Sequence, residues 1–187
     1  MKKPVLFLAV CICAILLTSC HETEETLTET GQILGEIYDT GQFQVLVPEP
    51  WRVFPITDPF AEGRPVKTDC VFLRKGGQSD WHVFEKPYIR IECYRLDEQI
   101  DTQIPEEDLR HNAGPLPPME LGELIWTGYT ADSYQGRARI GRFSVLWAED
   151  EVYRYQVLVW FESGGESISL EDRDLQAILA SVTHSER

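Results

Sequence analysis

The chain has 187 residues, with 31 acidic against 17 basic side chains and a net charge of −14 at pH 7. This excess of carboxylates argues against binding polyanions through bulk charge, so nucleic acid and anionic phospholipid headgroups are not expected partners. Hydrophobic residues make up 43% and aromatics 11% of the chain, which excludes a wholly disordered protein.

In chain order, the first feature is Met1-Lys2-Lys3-Pro4, followed by thirteen apolar residues from Val5 to Leu17 and then Thr18-Ser19-Cys20. A positive start, an apolar core and small residues before a cut form a secretory signal. A spanning helix needs roughly 18 apolar residues or more, so this run is short for that purpose. Leu17-Thr18-Ser19-Cys20 resembles the lipobox of bacterial lipoproteins. That resemblance implies cleavage before Cys20, lipid on its thiol, and an extracytoplasmic protein anchored to a bacterial membrane. Each buried methylene of the acyl chains contributes ~0.8 kcal/mol to anchoring. Cys11 and Cys13 would be discarded. The 168 residues left would carry 15 basic and 31 acidic side chains, a net charge of −16.

Residues 20–40 read as an acidic, Thr-rich tether. Ile33, Leu34, Ile37 and Tyr38 have helical spacing and predict a short docking helix. A single domain is expected over 41–187. Phe43, Val45 and Val47 alternate as in a half-buried strand, which Pro48-Glu49-Pro50 ends. Trp51–Phe54 predicts a second strand, residues 55–67 a loop, and 69–74 and 87–95 two further strands. If Cys70 stood opposite Cys93, Arg74 would face Ile89 and a disulfide could form; two buried thiols are the alternative.

Residues 96–119 read as an irregular insert with a short helix at Pro105–Arg110 and a proline-forced loop at Gly114–Pro118. Strands are expected at 121–131, 138–148 and 152–162, with Glu149-Asp150-Glu151 as a solvated turn. Leu175, Ile178, Leu179 and Val182 fall on one face of a closing helix that Ser169 could cap.

Three features together resemble the PsbP-like domain family. They are Phe43–Pro48 followed by Trp51, the aromatic strands Phe143–Trp147 and Tyr153–Phe161, and the closing helix Asp172–Val182. The resemblance implies an α+β fold, a twisted and mostly antiparallel sheet flanked by helices. It also implies a binding or assembly module without catalysis, and it transfers no cofactor residue.

No catalytic or metal-ligating pattern emerges from the chain. His21, His82, His111 and His184 are scattered, and no zinc, nucleophile-elbow or phosphate-loop motif occurs. Among 31 acids, a hydrolase carboxylate pair cannot be singled out by spacing. Trp81, Trp126, Tyr129 and Tyr134 lie in or beside loops and strand ends. They are the candidate binding surface, because aromatics concentrate at contact sites. The expected function is a tethered binding module for an envelope or surface protein, with a carboxylate hydrolase as the alternative.

Overall fold

The computed structural model describes residues 33–58, 60, 62–76 and 87–186. Residues 1–32, with the expected signal peptide and Cys20, and Trp81 and His82 lie outside them. The chain from Ile33 onward forms one compact unit.

The elements follow the period-2 alternation of the sequence. They are β1 (Gly35–Asp39), β2 (Phe43–Pro48), β3 (Trp51–Thr57), β4 (Val66–Lys75), β5 (Tyr88–Arg95), α1 (Glu106–Leu109), β6 (Gly114–Leu121), β7 (Leu124–Gln135), β8 (Ala138–Glu149), β9 (Tyr153–Trp160), β10 (Glu162–Ser163), β11 (Glu166–Ser167), α2 (Arg173–Ala180) and β12 (Thr183–His184). Seven strands form one sheet in the order β3-β4-β5-β9-β8-β7-β6, and every pairing in it is antiparallel. Two meanders, β3-β4-β5 and β6-β7-β8-β9, therefore meet where β5 pairs with β9. A smaller sheet, β1-β2-β12, and helix α2 cover one face.

The main core lies between these layers. Val71 and Leu73 of β4, Ile89, Ile91 and Cys93 of β5, and Tyr155, Val157 and Val159 of β9 point into it. They meet Phe43 and Val45 of β2 and Leu175, Ile178 and Leu179 of α2. Burying such side chains contributes ~1.5–3 kcal/mol each. The helix is pinned at both ends. In its first turn, Asp174 accepts a hydrogen bond from Trp51 Nε1 at 2.7 Å and an ion pair from Lys75 at 2.8 Å. Past its last turn, Ser181 Oγ accepts the Leu46 amide at 2.7 Å.

The expected α+β class is not what the chain builds. Strand accounts for 58% and helix for 8% of the described residues, and the two helices are short. Two local preferences gave way to pairing. Residues with helical spacing near 33–38 form β1, because β2 offers a complete ladder from Gly35↔Pro48 to Asp39↔Gln44. The proline-rich stretch forms β6. Proline is tolerated there because β6 is the outermost strand, and its ladder slips between Leu116 and Met119. The rest of the insert contributes only the four-residue α1. The closing helix is present, but Asp172, not Ser169, stands at its N-cap.

The β4–β5 register also differs from the one a disulfide needs. Cys70 stands opposite Glu92, and Arg74 opposite Tyr88. This one-residue slip places Cys70 and Cys93 on opposite faces, because side chains alternate along a strand. Both are buried free thiols.

Candidate functional site: an aromatic run across the outer face

The face of the large sheet away from α2 carries the second parity of each strand. Tyr88, Arg90, Glu92 and Tyr94 of β5 point this way, while Ile89, Ile91 and Cys93 point into the core. Six rings form a continuous run across five strands. Phe72 of β4 stacks on Tyr88 of β5 with centroids 4.5 Å apart. Tyr88 lies 6.1 Å from Trp160 of β9, and Trp160 lies 6.2 Å from Phe143 of β8. These last three ring planes are within about 5° of parallel. Phe143 meets Tyr129 of β7 edge-on at 6.3 Å, and Tyr129 leads to Trp147 at 5.8 Å.

Register builds the run. Trp160 is the direct cross-strand partner of both Tyr88 and Phe143. Glycine makes room for it: a Cβ on Gly141 would sit 2.7 Å from Cζ2 of the indole. The indole N–H is satisfied by the Glu162 carbonyl at 2.6 Å. Such aromatic pairs contribute roughly 0.5–1.5 kcal/mol each beyond area burial.

The two ends of the run differ in exposure. Tyr129 and Trp147 are buried, packed with Ala131, Val145 and residues Ile104 and Ala113 of the insert. The Tyr129 hydroxyl donates to Asp108 of α1 at 2.7 Å, and burial together with that carboxylate pushes its pKa up. Phe72, Tyr88, Trp160 and Phe143 remain half-buried. Polar groups border them. Arg90 pairs with Glu92 at 3.2 Å, and the Tyr94 hydroxyl donates to Glu92 at 3.3 Å. Burial, then Glu92, pushes the Tyr94 hydroxyl up to about 12. Burial also raises Tyr88, so both phenols stay protonated donors at neutral pH. At the far edge, the buried Arg74 guanidinium lies 3.9 Å over the Phe54 ring of β3.

A second constellation lies at the β8–β9 turn. Asp150 Oδ1 accepts the Val152 and Tyr153 amides at 2.7 and 2.6 Å. Its Oδ2 accepts the Tyr155 hydroxyl at 2.5 Å and faces His184 Nδ1 at 3.2 Å. Burial pushes the Asp150 carboxyl up, but the bonds from Tyr155, the two amides and His184 outweigh it and hold it below the usual range. His184 lines two open clefts. One of about 850 Å³ is lined by Gln42, Arg95, Asp97 and Tyr153, and one of about 510 Å³ by Glu123, Glu149 and Glu151. Glu149 thus ends β8 and Asp150-Glu151 enter the expected turn, but the Asp150 carboxylate is a hydrogen-bonding hub and not merely solvated. Among the described residues, no three metal-ligating side chains converge.

The candidate surface read from sequence is largely redistributed. Trp126 is fully buried in the main core, and Tyr129 is buried at the closed end of the aromatic run. Tyr134 is partly exposed but stacks on His111 at 4.7 Å, away from the run. Trp81 lies outside the described residues. Phe72, Tyr88, Phe143 and Trp160 were not among the candidates. The signal that could have found them is parity: Trp160 is one residue out of phase with Tyr153 and Tyr155, so it faces the other way.

No family model and no curated protein matches the chain. Among solved structures, it is similar to a crystal structure from Bacteroides thetaiotaomicron VPI-5482 at 11% identity and a TM-score of 0.47. The match covers 81% of this chain and 49% of that one, so this chain spans about half that protein's length.

Proposed function

We propose that the chain is an extracytoplasmic lipoprotein, anchored through lipid on Cys20, whose outer sheet face binds a component of the bacterial envelope without acting on it chemically. The observation that carries the binding part is the run Phe72–Tyr88–Trp160–Phe143. It leaves four adjacent rings half-exposed on a sheet whose other face packs the main core. Grouped aromatics of this kind supply contact area at low entropy cost, because each has only two side-chain torsions. The lipobox-like Leu17–Cys20 carries the anchoring part. PsbP-like proteins, which the chain resembles in sequence pattern, are mostly non-enzymatic binding or assembly modules, in accord with this reading.

The carboxylate-hydrolase alternative asks for an acid whose pKa is raised so that it can donate a proton. Among the described residues, Asp132, Asp150 and Asp174 move the other way, each held low by hydrogen-bond donors.

Crosslinked pull-down of the anchored protein, with mass spectrometry of what is recovered, tests binding. Fractionation of a Cys20→Ala form tests anchoring. An envelope component recovered in stoichiometric yield, and release of Cys20→Ala from the membrane fraction, are the expected results. A wild-type protein that recovers nothing, or a Cys20→Ala protein that stays wholly with the membrane, contradicts the corresponding half.

A further inference from the structure

We infer that the edge of the small sheet where β1 begins rests on the surface of a zwitterionic lipid membrane, which turns the outer aromatic face away from the bilayer. This rests on the Cys20 anchoring reading above and adds the orientation of the anchored domain.

Exposure marks the place. Leu34 and Ile37 are 80% and 60% exposed, more than any other aliphatic side chain among the described residues. Apolar residues scattered singly over a surface are ordinary, but these two stand three positions apart at the start of β1. Ile37 is the direct cross-strand partner of the half-buried Leu46, so both side chains lie on the outer face of the small sheet. The core takes the other parity of β2, Phe43 and Val45. Beside this edge a groove of about 730 Å³ runs between β1 and β3, with Tyr38, Val47, Trp51 and Val53 in its lining. The other end of the β1–β2 ribbon is polar, where Asp39 accepts bonds from Gln44 at 3.2 Å and from Ser185 at 2.6 Å. The ribbon is therefore apolar at the end where the chain arrives from Cys20.

The course of the chain says what lies against that end. Leu34 follows Cys20 by fourteen positions (34 − 20), a stretch that spans at most roughly 50 Å when fully extended. A contact held by so short a tether forms intramolecularly, so a small apolar patch suffices where a free protein would need a full interface. A second copy pairing edge to edge is the competing occupant. The five-residue β1 is short for the about 800 Å² per side that a stable complex buries. Local charge favours lipid as well. The groove carries Arg52 with Glu36 and Glu49, a mixed set that matches a headgroup holding both a phosphate and an ammonium. The small sheet and α2 cover one face of the large sheet and the aromatic run occupies the other, so contact here leaves the run facing outward.

The test uses the lipidated protein in phosphatidylcholine vesicles, with a nitrobenzoxadiazole label on Leu34→Cys, Ile37→Cys or Leu96→Cys. Cys70 and Cys93 are buried and stay unlabelled. Leu96, 42% exposed, follows the end of β5 farthest from Tyr88 and is the apolar control. Labels at 34 and 37 should shift to the blue and lose emission when doxyl-labelled phosphatidylcholine is included, and the label at 96 should do neither. If the protein floats with the vesicles but positions 34 and 37 are quenched no more than position 96, the inference is overturned and the anchoring stands. A blue shift at 37 without quenching also overturns it and assigns the patch to a second copy. Protein that does not float with the vesicles removes the anchor and the inference together.

Discussion

Cys70 and Cys93 occupy neighbouring strands yet face opposite sides of the same sheet, Cys70 opposite Glu92 and Cys93 opposite Tyr155. Burial, with Glu92 adding to it at Cys70 and Asp69 at Cys93, pushes both thiols up to about 12. A thiol attacks as its thiolate, so both should be inert in the folded protein even at pH 8. Iodoacetamide should modify them at under roughly a tenth of the rate seen after denaturation. The melting temperature should be the same with and without reductant, whereas loss of a native disulfide would cost about 2–5 kcal/mol. Mass spectrometry of the alkylated protein and paired melts check both points.

Two glycines separate a clash with backbone from a clash with a movable ring. A Cβ at Gly128 would lie 2.0 Å from the Val145 carbonyl oxygen, while one at Gly141 would meet the indole of Trp160. Gly128→Ala should therefore destabilise by about 3 kcal/mol or more and Gly141→Ala by about 1–2 kcal/mol. Only Gly141→Ala should shift the Trp160 environment without wider loss of structure. Urea denaturation and tryptophan fluorescence of the two variants make the comparison. Equal costs would mean that the β7–β8 approach is not as close as described.

Asp150 and Asp174 predict an acid-sensitive component of stability. Both carboxyls are half-buried, which alone would raise them, but their hydrogen-bond donors hold them below the usual value. Such groups add stability above the unfolded value of ~3.9 and lose it as pH falls through the lower folded value. Asp150→Asn should cost roughly 1–3 kcal/mol at pH 7, because the Tyr155 and His184 contacts are charge-assisted. The gap between wild type and variant should narrow below about pH 4. Denaturant titrations at pH 7 and pH 3 measure it, and a gap of equal size at both contradicts the assignment.

What the sequence discloses of this fold is its strongly periodic parts. The alternations Phe43/Val45/Val47 and Tyr153/Tyr155/Val157/Val159, and the helix face Leu175/Ile178/Leu179, all recur as core. What it conceals is decided by partners far along the chain. Ile37 and Tyr38 keep helical spacing but are captured by Leu46 and Val45. β12 is two residues long, too short for any pattern, and exists because Gln44 and Phe43 accept it. The β4–β5 register turns on one residue across a long connection, and that single step reverses the face of Cys70. The aromatic run is hidden for the same reason. Its rings are scattered from position 72 to 160 and become neighbours only once five strands are in register.

The most direct test of the binding account places a photocrosslinking residue in the anchored, full-length protein at Tyr88 in one strain and at Ile37 in another. Ile37 is exposed on β1 and lies on the other layer of the molecule. Irradiation in living cells should give a discrete, higher-mass adduct from position 88 and none from position 37. An adduct from position 37 with none from position 88 would contradict the claim that the outer aromatic face is the binding surface.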